Sequence, residues 1–220
     1  VLSSAIFFTI GSSLEYQTVQ GQTINVAQQL LDQMNITQTI SSNLAQMKAS
    51  CKMINSNYNF SFQGYDFSVS CKDLNKSIST IISNSIARFV NSSYYREYNC
   101  NYWDCFDKYP PTFLISEKSK NYWFNLFYLS MTALIVSAAA LFLLIKKKRH
   151  LPFLAGGTII VSSLIILAIG KVLNSISNDI VSKIITIFFS KSTFVSVRMI
   201  IIGAIILIAG LIIELYRVEF

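Results

Sequence analysis

Three long apolar stretches occupy the last hundred residues of the chain, at 122–145, 153–172 and 195–216. A helix that crosses the hydrocarbon core of a bilayer needs about 20 consecutive apolar residues. The first stretch is uncharged and runs directly into Lys146, Lys147, Lys148 and Arg149. Clustered basic residues stay on the cytoplasmic side of a membrane, so this loop is the expected topology determinant. The pattern predicts a multi-pass membrane protein of the cell membrane, with residues 146–150 cytoplasmic and residues 16–120 exported. Residues 1–15 contain only a short apolar run, 5–10. They are expected to form a partial transmembrane or signal-anchor segment.

Between these regions the pattern changes period. From Thr23 to Met47 the apolar positions Val26, Leu30, Met34, Ile40, Leu44 and Met47 recur at helical spacing. They predict one helix, or two with a break at 35–37. Tyr58, Phe60 and Phe62 alternate with polar residues, as do Tyr65, Phe67, Val69 and Cys71 after Gln63-Gly64. That is a hairpin with Phe60, Phe62, Phe67 and Val69 on its core face. Leu74, Ile78, Ile81, Ile82, Ile86, Phe89 and Val90 then outline an amphipathic helix of about six turns, with Ser70 or Asp73 as the expected N-cap. The fold class expected is a membrane α-helical domain over 121–220 joined to a small exported α+β domain over 16–120. Within the membrane half, 173–193 places Ile176, Ile180, Ile184, Ile187 and Phe188 at helical spacing among polar residues. It is expected to lie as an amphipathic helix on the outer membrane face.

Charge sharpens this division. Residues 16–120 carry nine Lys/Arg against seven Asp/Glu, and residues 121–220 carry nine against three. The net charge of +7 therefore comes mostly from the membrane half, where basic residues flank spans. Nucleic acid is not needed to explain it. The lipid bilayer is the first expected partner, and a protein partner or self-association the second.

All four cysteines, Cys51, Cys71, Cys100 and Cys105, fall in the polar segment. An even count confined to an exported domain predicts two disulfides, and Cys51–Cys71 with Cys100–Cys105 is the expected pairing. Zinc binding needs closely paired ligands, which these spacings do not provide, and the only histidine is His150 in the basic loop. Sequons at Asn35, Asn59, Asn75 and Asn91 make these four the candidate glycosylation sites of a glycoprotein.

Catalytic chemistry finds no support in the pattern. Glu97, Asp104, Asp107 and Glu117 form the nearest approach to a carboxylate group, without a defined acid–base partner. Serine, cysteine and histidine assemble no nucleophile motif, so no catalytic residue, metal or cofactor is expected. Lys171, Arg198 and Glu214 sit near span ends, where a long side chain reaches the headgroups. No charge is expected at mid-depth, where an ion or substrate pathway would need one. Ala133 and Ser137, Gly156 and Gly157 with Ser162 and Ser163, and Gly203 with Gly210 are small residues of the kind that let membrane helices approach. Packing of the spans on each other is the expected use.

The least ordinary local feature is the aromatic segment 94–109, read as an irregular neck that ends at Pro110-Pro111. Tyr94, Tyr95, Tyr98, Tyr102, Trp103 and Phe106 are expected to form a surface that docks on a partner or on the outer leaflet, because clustered Tyr and Trp supply large amphipathic contact area.

The order of a first apolar segment, a large exported loop, two spans joined by a short basic loop, a second exported segment and a last span resembles the topology of the claudin and peripheral-myelin group. The Trp-Leu-x-x-Cys pattern of those families is not reproduced by Trp103-Asp104-Cys105, and no family is assigned. The function expected is that of an interaction, scaffold or accessory subunit acting through its exported domain. The alternative is a component of an oligomeric transporter or channel.

Overall fold

The structure, a computed structural model, describes residues 1–33, 44–52, 57–62, 65–145, 150–175 and 185–216. Along the chain, helix α1 (Leu2–Ser13) precedes α2 (Tyr16–Gln33) and a short helix α3 (44–52). Strands β1 (Asn57–Phe62) and β2 (Tyr65–Ser70) pair antiparallel, with Asn57 opposite Ser70 and Phe62 opposite Tyr65. A single 3-10 turn, Asp73–Asn75, leads into α4 (Ile78–Tyr94). Two short helices, α5 (Tyr102–Lys108) and α6 (Pro110–Leu114), lead to α7 (Glu117–Leu144), α8 (Leu151–Ser175) and α9 (Ser192–Tyr216). The chain divides into two compact units, Glu15–Glu117 and the combination of Val1–Leu14 with Lys118–Phe220. They are called here the polar and the apolar unit.

In the polar unit α2 and β2 both pack on α4. The helical period puts Ile81, Ile82, Ile86 and Val90 on the buried side of α4, and Met47, Cys51, Val69, Leu74 and Ile81 form one core cluster. Gln28 of α2 adds a polar tie, donating to Ser83 Oγ at 3.0 Å. The expected side chains Phe60, Phe62 and Phe67 lie outside the described side chains, as do Leu30 and Met34; Val69 is buried.

The start of α4 differs from expectation. Its N-cap is Ser77, whose hydroxyl accepts from the Thr80 amide. Asp73 is turned to another use. Its carboxylate takes Lys76 at 2.9 Å and Arg88 at 2.6 Å, both cations being partly exposed. Those partners, Lys76 first, outweigh the cost of burial and hold the Asp73 pKa below its ordinary 3.8. An acid with two cationic partners is unavailable to cap amides, and Ser70 remains in β2.

In the apolar unit, three helices are long and apolar enough to cross a membrane: Glu117–Leu144, Leu151–Val172 and Ile185–Ile213. A membrane location is therefore plausible on length and composition. α8 and α9 pack along their length through small residues. Gly156, Ser163 and Gly170 on α8 and Ser196, Gly203 and Gly210 on α9 each recur at seven-residue intervals and are buried. A methyl group added at Gly156 would meet the Gly203 carbonyl at 2.8 Å and Leu207 at 2.7 Å; Gly170 lies directly against Ser192. The two backbones are thus in close approach, as small residues permit in lipid. α1 joins this pair, and Lys191 donates its amide to Ser13 Oγ at 3.1 Å.

α7 behaves differently. Phe124 and Phe127 near its start contact Phe8 of α1, and Trp123 contacts Phe7. None of its best apolar window is buried within the chain, and Ala133 and Ser137 are exposed. The small residues of α8 and α9 are used for intramolecular packing; those of α7 are not. Of the segment 173–193, residues 173–175 continue α8, residues 185–188 form one helical turn with Ile187 buried, a turn at 189–191 leads on, and residues 192–193 begin α9, while 176–184 lie outside the described residues. Its two ends are therefore parts of the long helices.

Candidate functional site

The segment after α4 is more ordered than an irregular neck. Cys100 and Cys105 are paired, with Cα atoms 5.5 Å apart, which ties the start of α5 back on itself. Pro110 opens α6 at a first-turn position, where its missing N–H costs nothing and its fixed φ already suits a helix.

Around this staple the rings form a small core. Tyr98, Cys105 and Phe113 are buried together, with Cys100, Tyr102, Phe106 and Tyr109 packed against them. Tyr98 meets Phe113 edge-on at 5.3 Å and Tyr109 at 5.7 Å, while Tyr102 meets Phe113 at 5.1 Å. Such tilted ring pairs add roughly 0.5–1.5 kcal/mol each beyond the area they bury. The Tyr98 hydroxyl donates to the Ser93 carbonyl at 3.3 Å, which satisfies the one polar atom its ring carries inward. Arg96 lies over the Tyr98 and Tyr109 rings, 5.7 and 5.0 Å from their centres.

A second group of rings stands at the end of α4. Tyr16 of α2 contacts Tyr94 at 5.3 Å and Tyr95 at 5.4 Å, and the Tyr16 hydroxyl accepts from Asn91 at 3.0 Å and Gln20 at 3.2 Å. Burial, reinforced by Glu117, Tyr95 and Glu15, pushes the Tyr94 phenol up to about 12. It remains protonated at any physiological pH.

These contacts redistribute the six expected docking residues. Tyr94 and Tyr98 are 2% and 6% exposed and belong to the core, so they cannot be docking rings. The interleaved Arg96, Glu97 and Asn99 are exposed. Burying the two tyrosines therefore did not require burying the charges between them. Tyr95 and Trp103 are the outward rings, 53% and 64% exposed. Tyr102 and Phe106 are half-buried, and both touch or approach Trp103, at 5.3 and 6.3 Å. The result is one exposed indole supported from below by rings that are themselves packed on the Cys105–Phe113 core.

The remaining candidates are dispersed. Cys51 and Cys71 are paired, with a Cα–Cα distance of 5.5 Å, joining α3 to the end of β2. Asn75 is exposed on its 3-10 turn, Asn91 is exposed but gives its amide to Tyr16, Asn59 lies on β1, and Asn35 lies outside the described residues. Lys146, Lys147, Lys148 and Arg149 also lie outside them. Glu97, Asp104 and Asp107 are exposed, Glu117 is partly so, and among the described residues no group of three His, Cys, Asp or Glu converges as metal ligands. Arg198 is exposed six residues into α9 and its guanidinium folds back over the Phe194 ring at 4.0 Å. That direction is toward the helix start.

No family model matches this chain, and neither a curated protein nor a solved structure does.

Proposed function

We propose that the protein is an interaction, scaffold or accessory subunit of a cell membrane, presenting the polar unit outside and anchored by α7, α8 and α9. The supporting observation is the Trp103 surface. An indole left 64% exposed on a disulfide-tied helix loses little freedom on docking, because the rings beneath already fix it. The edges of Tyr102 and Phe106 extend this surface, and Tyr95 is a second outward ring at the end of α4. The clustered basic residues 146–149 keep their loop cytoplasmic, which puts Glu15–Glu117 on the opposite side of the first span.

Purification of the full chain in mild detergent tests the reading. A stoichiometric partner that is lost on changing Tyr95 and Trp103 together to Ala supports it, and one that survives this change contradicts the surface. The alternative, an oligomeric transporter or channel component, draws on the unburied apolar length of α7. A homo-oligomer that conducts ions in liposomes would favour it.

A further inference from the structure

A second surface of the polar unit is assembled by its other disulfide. Lys52 follows Cys51 and Lys72 follows Cys71. The bridged Cα atoms are 5.5 Å apart, and each adjacent Cα adds about 3.8 Å. Two lysines twenty residues apart in sequence are thus held with Cα atoms no more than about 13 Å apart. Lys48 precedes Lys52 by one turn of α3, on the same helix face. All three are exposed, and none has an ion pair among the described residues. The neighbouring Asp73 is already taken by Lys76 and Arg88, so that group adds one further positive charge to the patch. The start of α4 follows at once, and its amide end contributes in the same sense. Asp66 is the other acid nearby in sequence, and it lies five strand residues before Cys71, roughly 17 Å along β2.

The character of the patch restricts its partner. Its three exposed cations without an ion pair among the described residues are lysines, hydrated point charges without the planar fork that recognises one carboxylate. Among the described residues of the polar unit, the exposed large apolar side chains are Tyr95 and Trp103. Tyr95 caps the opposite end of α4, about 25 Å away by the length of that 17-residue helix, and Trp103 lies on α5, which follows it. Among the described residues the patch has no exposed apolar anchor, and without one a surface has neither the hot spot of a protein interface nor the inserting face of a membrane-surface helix. It is also at the end of α4 remote from the segment that leads into α7. Summed charge of this kind suits a hydrated polyanion.

We propose that Lys48, Lys52 and Lys72, gathered by the Cys51–Cys71 bridge, bind an acidic polysaccharide. That the polysaccharide is met outside the cell rests on the exported reading above; the binding itself does not. The test uses the full chain in uncharged detergent as the parent, with K146Q/K147Q/K148Q as the control that reports what the basic loop itself contributes. Dextran sulfate is the probe. Adding K48Q/K52Q/K72Q should weaken retention on immobilised dextran sulfate by about tenfold or more, and added salt should weaken the parent in the same way. Mapping of both disulfides in the variant shows that its fold is kept. Unchanged retention overturns the proposal. So does a loss seen with anionic phospholipid vesicles but not with dextran sulfate, which would make the patch a membrane contact. The Tyr95 and Trp103 variant should bind dextran sulfate like the parent, so failure of the aromatic surface and failure of this patch are told apart.

Discussion

The two units solve the problem of ordering a chain with different means. In the polar unit large side chains go inward: Ile81, Val90, Tyr94 and Phe113 are buried, and two disulfides and a buried carboxylate reinforce a small core. In the apolar unit the order is reversed. Glycines and serines are buried between α8 and α9, while leucines and isoleucines face outward along all three long helices. Water drives the first arrangement, because burying a large apolar side chain there gains roughly 1.5–3 kcal/mol. A bilayer would offer no such gain, and close backbone approach would take its place. The same amino acid therefore has opposite meanings in the two halves of one chain.

The comparison can be broken most forcefully at the Cys51–Cys71 bridge. Closing a loop of about 20 residues stabilises by roughly 3 kcal/mol in the chain-entropy model. Changing both cysteines to Ser should lower the unfolding free energy of the polar unit by about that amount and leave α8–α9 packing intact. Unfolding of the two units can be followed separately by pulsed proteolysis and by titration with denaturing detergent. If both units weaken together, their independence is wrong.

The reciprocal change lies in the apolar unit. Gly156→Leu forces a side chain into the Gly203 carbonyl and Leu207 and should cost about 1–3 kcal/mol as overpacking does. Gly157→Leu is its control, because nothing lies within 4 Å of a Cβ there. The same detergent titration should separate the two variants, and equal behaviour would show that α8 and α9 do not meet at this register.

Acid sharpens the picture at Asp73. Its pKa is depressed by Lys76, with Arg88 contributing, so the stability it provides is complete above the unfolded value near 3.8 and is lost as pH falls through the folded one. Asp73→Asn should destabilise the polar unit at pH 7 by about 1 kcal/mol, a modest figure because both cations are partly exposed to solvent. The gap from wild type should close below the folded pKa. A gap independent of pH would mean that charge is not what Asp73 supplies.

Much of this was legible in residue pattern. The three apolar stretches fall within α7, α8 and α9 apart from the ends, and Ile81, Ile82, Ile86 and Val90 declare the buried face of α4 by period alone. Two features were not legible for a common reason. Ser70 and Asp73 were plausible caps until Lys76 and Arg88 claimed the Asp73 carboxylate, and Tyr94 and Tyr98 read as surface rings until their neighbours Arg96 and Glu97 proved free to point away. Each depends on a partner that local sequence does not choose. The glycines and serines of α8 and α9 were visible singly. Their shared seven-residue spacing gains meaning from the antiparallel register that sets Gly156 against Gly203.

The central claim is that the polar unit and the basic loop stand on opposite sides of a membrane. Single cysteines introduced as Asn75→Cys and Lys148→Cys, treated in intact cells with a membrane-impermeant maleimide, test it directly. The account predicts labelling at position 75 in intact cells and at position 148 only after permeabilisation; labelling at 148 with protection at 75 would contradict it.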